Sequence, residues 1–367
     1  MIGLKEIQRK KLQFTLIALV VTLISYLVLM INGLGVGLNK QAGSALLQLD
    51  ADAIAYSSSS RLSVIRSELS SSVVTEIGQT EGVEASAPLG YMSVNTKSPG
   101  GDIAAIALLG YIPGQLGEPS VQKGRPLTGN DTRGVLADAK FLKSSNLSIG
   151  DTLTLVNRLQ TYDFTVIGEV NEGYFFFQPV VYLVLDSLRE VKYGVTTPDT
   201  PLASVVLVKG KGLVGTKTPD FEIVSKQTAF ANIEGVKGQQ QTVDALRLFG
   251  FLIGAMVIGI FFYVLTLQKV QQLGTLKALG ASNAFLFKQT LLQVLTIIII
   301  GALVSTAAAY ATGTLLGRLP QAVPISFTSG TFLITASLFI VTGLIGLIFS
   351  LRKVSRIDPI IAIGQQC

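Results

Sequence analysis

The chain of 367 residues has no histidine, one cysteine and few charges, since Asp, Glu, Lys and Arg together make up only 14% of it. Each shortage excludes something. Without histidine there is neither the commonest general base nor the commonest metal ligand. The single cysteine, Cys367, permits no intrachain disulfide and no thiolate metal cluster. Any metal-bearing ligand must therefore be held by Met, Tyr, Glu or Asp. Serines are dense from Ser57 to Ser72, but no histidine is there to activate one as a nucleophile. A G-x-S-x-G elbow is also missing. The nearest approach to a phosphate loop runs from Gly210 to Thr218, and its lysine is displaced by one position. The chain is thus not expected to be an enzyme, and nucleotide hydrolysis, if it drives anything here, must come from a separate subunit.

Apolar sequence is plentiful. A mean hydropathy of +0.54 is too high for a soluble chain of this length and points to a membrane. After a basic tail, residues 1–11, the stretch Leu12 to Leu38 is uninterrupted by charge. About 20 apolar residues cross a bilayer core, and the apolar region of a cleaved signal peptide is shorter than this run. Gly33, Gly35 and Gly37 close it and include a Gly-x-x-x-Gly pair suited to close helix packing. Further spans are expected over 243–267, 284–317 and 330–351. In the third, Gly301, Ser305, Ala309, Gly313 and Gly317 recur every four residues and mark a helix-packing face.

Residues 39–242 are of another kind. Turn formers punctuate candidate strands at Ile103–Leu109, Thr152–Val156, Phe164–Val170, Val180–Leu185 and Ala203–Val208. Arg61 to Glu81 patterns as helix. The expectation is an α+β domain, in two lobes, that ends in a helical stalk from Ser225 to Thr242. Ser225 or Thr228 would cap that stalk, and Gly235 and Gly238 would kink it. The fold class is therefore four transmembrane helices with a large α+β domain between the first and second.

Charge sets the orientation. The tail with Lys5, Arg9, Lys10 and Lys11, the segment 268–283 with Lys269 and Lys277, and the tail 352–367 with Arg352, Lys353 and Arg356 are all basic. The loop 318–329 offers only Arg318. Basic flanks stay in the cytoplasm, so both termini are expected there, with the large domain outside. The formal charge of +6 sits at these edges and is no nucleic-acid signal.

The segment 268–283 is short, basic and amphipathic. Leu273, Leu276 and Leu279 recur at helical spacing, Gly280 suits the position after a helix end, and Ser282 suits the next N-cap. Its wording, YVLTLQKVQQLGTLKALGAS, resembles the signature of the MacB/FtsX-like ABC transporter permeases, and within them most closely the HrtB-type haem-exporter permeases and their DevC-type relatives. The stretches LSIGDTLTLVNRLQTYDFTVIGEV and QPVVYLVL resemble the extracytoplasmic domain of MacB-like permeases, which pairs a mixed α/β lobe with a small β-rich lobe. The loop departs from many members in lacking an acidic residue before its Leu-Gly.

The resemblance implies a permease subunit of an ATP-driven exporter in a bacterial cytoplasmic membrane, with haem as the leading substrate. It implies two copies of an ABC ATPase subunit, which bind the ATP. They would be met at Lys269, Leu273, Leu276, Lys277, Leu279 and Gly280. Four spans enclose little, so a homodimer among membrane lipids is the expected unit. In the HrtB-type family haem enters laterally at the dimer interface. The matching stretches here are LISYLVLMINGLGVGL and NIEGVKGQQQTVDALRLFG. They put forward Met30 and Glu234 as iron ligands, with Tyr26, Phe249, Met256 and Tyr263 lining an apolar pocket. Tyr174, beside Phe175 to Phe177, is a weaker candidate. Export of a glycolipid, peptide or drug in the DevC or MacB manner stands as an alternative. So does FtsX-like control of an external hydrolase.

Overall fold

A computed structural model describes residues 11–97, 103–157, 160–171, 173–268, 274–277, 279–317 and 323–355. They form two compact units, one from residues 1–37 with 241–367 and the other from residues 38–240.

The first unit is helical. Helix α1 (Lys11–Gln48) begins in it, and α6 (Val236–Gln268), α7 (Asn283–Leu316) and α8 (Ser329–Ser355) complete it. Lys11–Gln48, Val236–Phe261 and Lys288–Leu316 are three helices long and apolar enough to cross a membrane, and Ser329–Val341 is a shorter apolar stretch of α8. On α1 the side chains of Phe14, Ile17, Val21 and Val28 recur on one face and are buried against Val294, Ile297 and Ile298 of α7 and Phe339 of α8. Small residues make the contact close. Gly301, Ser305 and Ala309 are buried, and a Cβ on Gly301 would lie 2.9 Å from Val21 Cγ1. The stripe stops doing this work before its end, because Gly317 is exposed.

Helix α6 runs antiparallel to α1. Gly35 meets Val243 and Arg247, Gly250 faces Val28 and Ile31, and Gly254 faces Ile24. Gln13 and Gln268 join side-chain amides at the other end of the pair. The segment 323–328 is extended. Its Ser326 N–H donates to the Gly33 carbonyl at 3.0 Å, and Phe327 packs where Gly33 and Gly313 leave room.

The second unit is α+β. Its strands are β1 (Ala53–Ser57), β2 (Val83–Lys97), β3 (Ile103–Tyr111), β4 (Val121–Gly124), β5 (Gly134–Asp138), β6 (Thr152–Asn157), β7 (Gln160–Val170), β8 (Tyr174–Phe175), β9 (Gln178–Val184), β10 (Val205–Gly210) and β11 (Phe221–Ser225). Its helices are α2 (Ser71–Gly78), α3 (Ala139–Ser144), α4 (Leu185–Tyr193) and α5 (Lys226–Ala231). The long strand β2 divides the unit into two lobes. Its first half pairs with β10 in the antiparallel sheet β11-β1-β10-β2. Its second half pairs with β3 and β6 and enters a closed ring, β2-β3-β9-β5-β7-β6. Closure leaves those strands without free edges. Ile106, Leu108, Val135, Leu153, Leu155, Phe164, Val166 and Val181 fill one core there.

Helix α1 differs from the expectation. The helix does not end at Leu38 but continues to Gln48, because Ala42, Ala45, Leu46 and Leu49 carry a second apolar face into the core of the α+β unit. The backbone leaves helical geometry at Gly43. That frees the carbonyls of Gln41 and Ala42, which accept from Phe177 N–H at 2.8 Å and Phe176 N–H at 2.9 Å. Phe176 and Phe177 form the β8–β9 turn, both with positive φ (49° and 61°). The stalk breaks at Gly235, as its glycines suggested. Ser225 caps α5, accepting from Thr228 N–H, and Gly235, at φ +84°, separates α5 from α6. Gly238 lies inside α6.

The stretch Arg61–Glu81 is only partly helical. A one-turn 3-10 helix at Ser58–Ser60 precedes it, and within it only α2 is α-helical. The loop from Gly210 to Thr218 links β10 to β11, and its Lys217 pairs with Glu222 at 2.9 Å.

Candidate functional site

The α1–α6 pair carries most of the candidate substrate residues. Its register, Gly35 opposite Arg247 and Ile24 opposite Gly254, sets Met30 level with Gly250 and Tyr26 level with Gly254. Met30 and Tyr26 of α1 therefore share a band of about two turns with Phe249 and Met256 of α6. Tyr26 is half-buried, and its hydroxyl pairs with Thr312 Oγ1 of α7 at 3.1 Å. Met30 is half-buried. Phe249, Met256 and Tyr263 follow one another at seven-residue spacing on α6 and are 59%, 69% and 37% exposed. With Leu252, Ile253, Ile260 and Val264 they form a bare apolar stripe. Tyr263 lies two turns further along α6 than Met256.

Glu234 belongs to the α+β unit, in the link between α5 and α6. It is exposed and accepts a hydrogen bond from Ser63 Oγ. Ser63 is buried and follows two left-handed residues, Arg61 and Leu62, at φ 53° and 61°. That conformation costs non-glycine residues free energy and fixes where Ser63 points. Two buried phenols lie in the field of the carboxylate. Burial first, and then the Glu234 charge, push the Tyr56 and Tyr91 hydroxyls well above the usual tyrosine range. Nothing in the sequence pattern pointed to Ser63, Tyr56 or Tyr91.

Tyr174 serves the fold. Its N–H donates to Ser44 Oγ at 3.0 Å, and Gly173 N–H donates to the buried Asp138 at 3.0 Å. Burial and then Asp138 raise its hydroxyl pKa. Beside it, Phe175 and Phe176 pack on Tyr91 with ring centroids 5.2 Å away in each case. An open groove of about 470 Å³ in this unit is lined by Asp50, Ser86, Gln115, Leu116 and Glu118, and Asp50 is paired with Lys209 at 3.0 Å. Among the described residues no three His, Cys, Asp or Glu side chains gather to hold a bare metal ion.

The segment between α6 and α7 ends in a tightly built turn. Residues 274–277 are helical. Ala281 N–H donates to the Leu276 carbonyl at 2.9 Å and Gly280 N–H to the Lys277 carbonyl at 3.0 Å. This pair of bonds is the Schellman motif, and Gly280 supplies its left-handed residue at φ +92°. Ser282 then caps α7 by accepting from Phe285 N–H at 3.2 Å. Leu279 is 80% exposed, whereas Leu276 and Lys277 are half-buried. Lys269 and Leu273 lie outside the described residues.

The α+β unit is inserted between α1 and α6, and a short capped turn joins α6 to α7. Residues 245–359 match the FtsX-like permease C-terminal family. Along its whole length the chain is similar to the protein named as the hemin transport system permease HrtB of Staphylococcus haemolyticus, at 25% identity over 360 residues and 98% of both chains. Its counterpart from Staphylococcus epidermidis is also 25% identical, over 362 residues and 98% of both. An uncharacterised ABC transporter permease of Mycobacterium tuberculosis is 22% identical over 99% of this chain and 98% of its own. Among solved structures, the periplasmic region of MacB from Actinobacillus actinomycetemcomitans aligns at TM-score 0.35 and 17% identity, covering 51% of this chain and 94% of that one.

Proposed function

We propose that this chain is the permease subunit of an ATP-driven ABC exporter in a bacterial cytoplasmic membrane, and that its substrate is haem taken from the membrane. The observation that carries the reading is the full-length similarity to two hemin transport permeases, at 98% coverage in both directions. In this reading α1, α6, α7 and α8 are four spans, both termini are cytoplasmic, and the α+β unit lies outside. Two copies of the chain pair through the bare apolar faces of α1 and α6, since the α6 stripe of Phe249, Met256 and Tyr263 finds no cover in its own bundle. Met30 and Glu234 offer the iron a thioether and a carboxylate, the donor types left to a chain without histidine.

The mechanism is mechanical. Two ATPase subunits close on ATP and move the turn between α6 and α7, including Leu276, Lys277, Leu279 and Gly280. The Schellman turn and the Ser282 cap make that turn stiff. The motion passes along α6 to its partner α1 and presses the spans together, which expels the amphiphile outward. The test is reconstitution of the chain with its ATPase in proteoliposomes loaded with haem. ATP-dependent release of haem is the expected result. ATP hydrolysis without haem release would send the search to glycolipid, peptide and drug substrates.

A further inference from the structure

Helix α6 carries one cation at the edge of its apolar run. Arg247 follows Asp244 by three residues, and no charge occurs from Leu248 to Gln268. Its guanidinium is seated against α1 at Gly35. A Cβ on Gly35 would stand 2.5 Å from Nη2 and 3.3 Å from Cζ, so the missing side chain is what admits the arginine. Nη1 donates to Asp244 Oδ1 at 2.8 Å on the same helix. Nε is buried and has no partner among the described residues. Asp244 is 67% exposed and is solvated without the arginine. An exposed pair three residues apart on one helix is worth little and needs no glycine opposite. A guanidinium held in place with a buried donor unpaired is, in contrast, incomplete, and an oxyanion matches it in charge and hydrogen-bonding capacity.

Position narrows the oxyanion. Gly35 is five residues beyond Met30 on α1, or about 7.5 Å along the axis. A metalloporphyrin with its iron beside Met30 carries its carboxylates at the macrocycle edge, at a distance comparable to that axial rise. We propose that Arg247, seated over Gly35, is a carboxylate clamp that binds and orients the acidic edge of the amphiphile. The inference rests on the haem reading above but assigns a residue and a ligand group that the reading does not use. The phosphate of a membrane lipid offers the same oxyanion chemistry, and the test separates the two sources.

The full-length chain in a non-ionic detergent is titrated with haem and with haem dimethyl ester, whose carboxylates are blocked. Binding is read from the Soret band for the parent, Arg247→Gln, Arg247→Lys and Gly35→Ala. Comparing the acid-to-ester affinity ratio between variant and parent cancels the different partitioning of the two porphyrins into micelles. The parent is expected to favour the free acid by about tenfold or more, as a charge-assisted contact requires. Arg247→Gln abolishes that preference and Arg247→Lys retains part of it. Gly35→Ala keeps the arginine but displaces it, and also loses the preference. Equal binding of acid and ester by the parent overturns the clamp and leaves the haem reading standing. A preference that survives Arg247→Gln also overturns it. Loss of the preference on adding phosphatidylglycerol assigns the guanidinium to lipid phosphate and overturns the substrate clamp. Saturable binding of neither porphyrin overturns both readings.

Discussion

Replacing Gly43 by alanine tests the break in α1, because a straight helix and a broken one predict opposite signs. In a continuous helix, glycine to alanine is stabilising by about 1 kcal/mol. Here Gly43 is not helical, so that gain is absent. The added Cβ would instead meet Ile233 Cδ1 at 2.6 Å and the Phe230 ring at 3.1 Å. Ile233 is only 3% exposed, inside the main core of the α+β unit, and has little room to move aside. Overpacking of this kind costs about 1–3 kcal/mol. If the chain escaped by straightening the helix, the carbonyls of Gln41 and Ala42 would return to helical partners. The N–H groups of Phe176 and Phe177 would then be stranded, at about 1–3 kcal/mol for each one left buried and unpaired. Both routes destabilise. At about 2–4 °C per kcal/mol, thermal unfolding of the detergent-solubilised chain should fall by several degrees. Hydrogen exchange at the amides of Phe176 and Phe177 should also speed up. An unchanged or raised midpoint, with those amides still protected, would refute the break as the origin of the hairpin contact.

Other residues carry independent predictions. Asp131 accepts from Arg125 at 2.7 and 2.8 Å and from the Thr128 N–H and hydroxyl at 2.8 Å each, and the arginine foremost holds its carboxyl well below the usual range. A carboxylate depressed in the folded state stabilises above its unfolded pKa, near about 4, and loses that contribution as pH falls further. The unfolding midpoint of Asp131→Asn should therefore trail the parent at pH 7 and converge with it in acid. A constant gap down to pH 2 would contradict this. Gly301→Leu puts a side chain into the space where even a Cβ would be 2.9 Å from Val21, so the purified yield of folded protein should drop sharply, whereas Leu303→Ala at an exposed position should not change it. Gly280→Ala forces alanine into φ +92° and should cost about 1 kcal/mol in the turn. In the proposed complex with an ATPase subunit it should lower the fraction of ATP turnover coupled to transport.

The three long apolar helices could be read from the sequence because each holds a long uncharged run and the small residues sit in register. The end of α1 could not, because Asn39, Lys40 and Gln41 look like the start of a loop. Past the membrane, however, a helix is free to be polar on one side, and Ala42, Ala45, Leu46 and Leu49 carry the apolar face. Strand β2 was hidden by Pro88 and Gly90, although Gly90 belongs there because Leu185 and Leu188 of α4 occupy the space of its missing side chain. The candidate site divides along similar lines. That Met30 and Phe249 are candidates together follows from the family resemblance of the stretches that hold them. That Ser63 holds Glu234, that Tyr26 turns toward Thr312, and that Arg247 rests on Gly35 are contacts between residues far apart in the chain, and no local pattern announces them.

In the proposed function haem is the substrate, with Met30 and Glu234 as candidate iron ligands. The most direct measurement is a haem titration of the purified chain, with the Soret band recorded for the parent, Met30→Ala and Glu234→Ala. The account predicts a saturable, shifted band near one haem per pair of chains, lost or displaced in either variant. Only the weak, unsaturable signal of haem in empty micelles, the same for all three proteins, would contradict it.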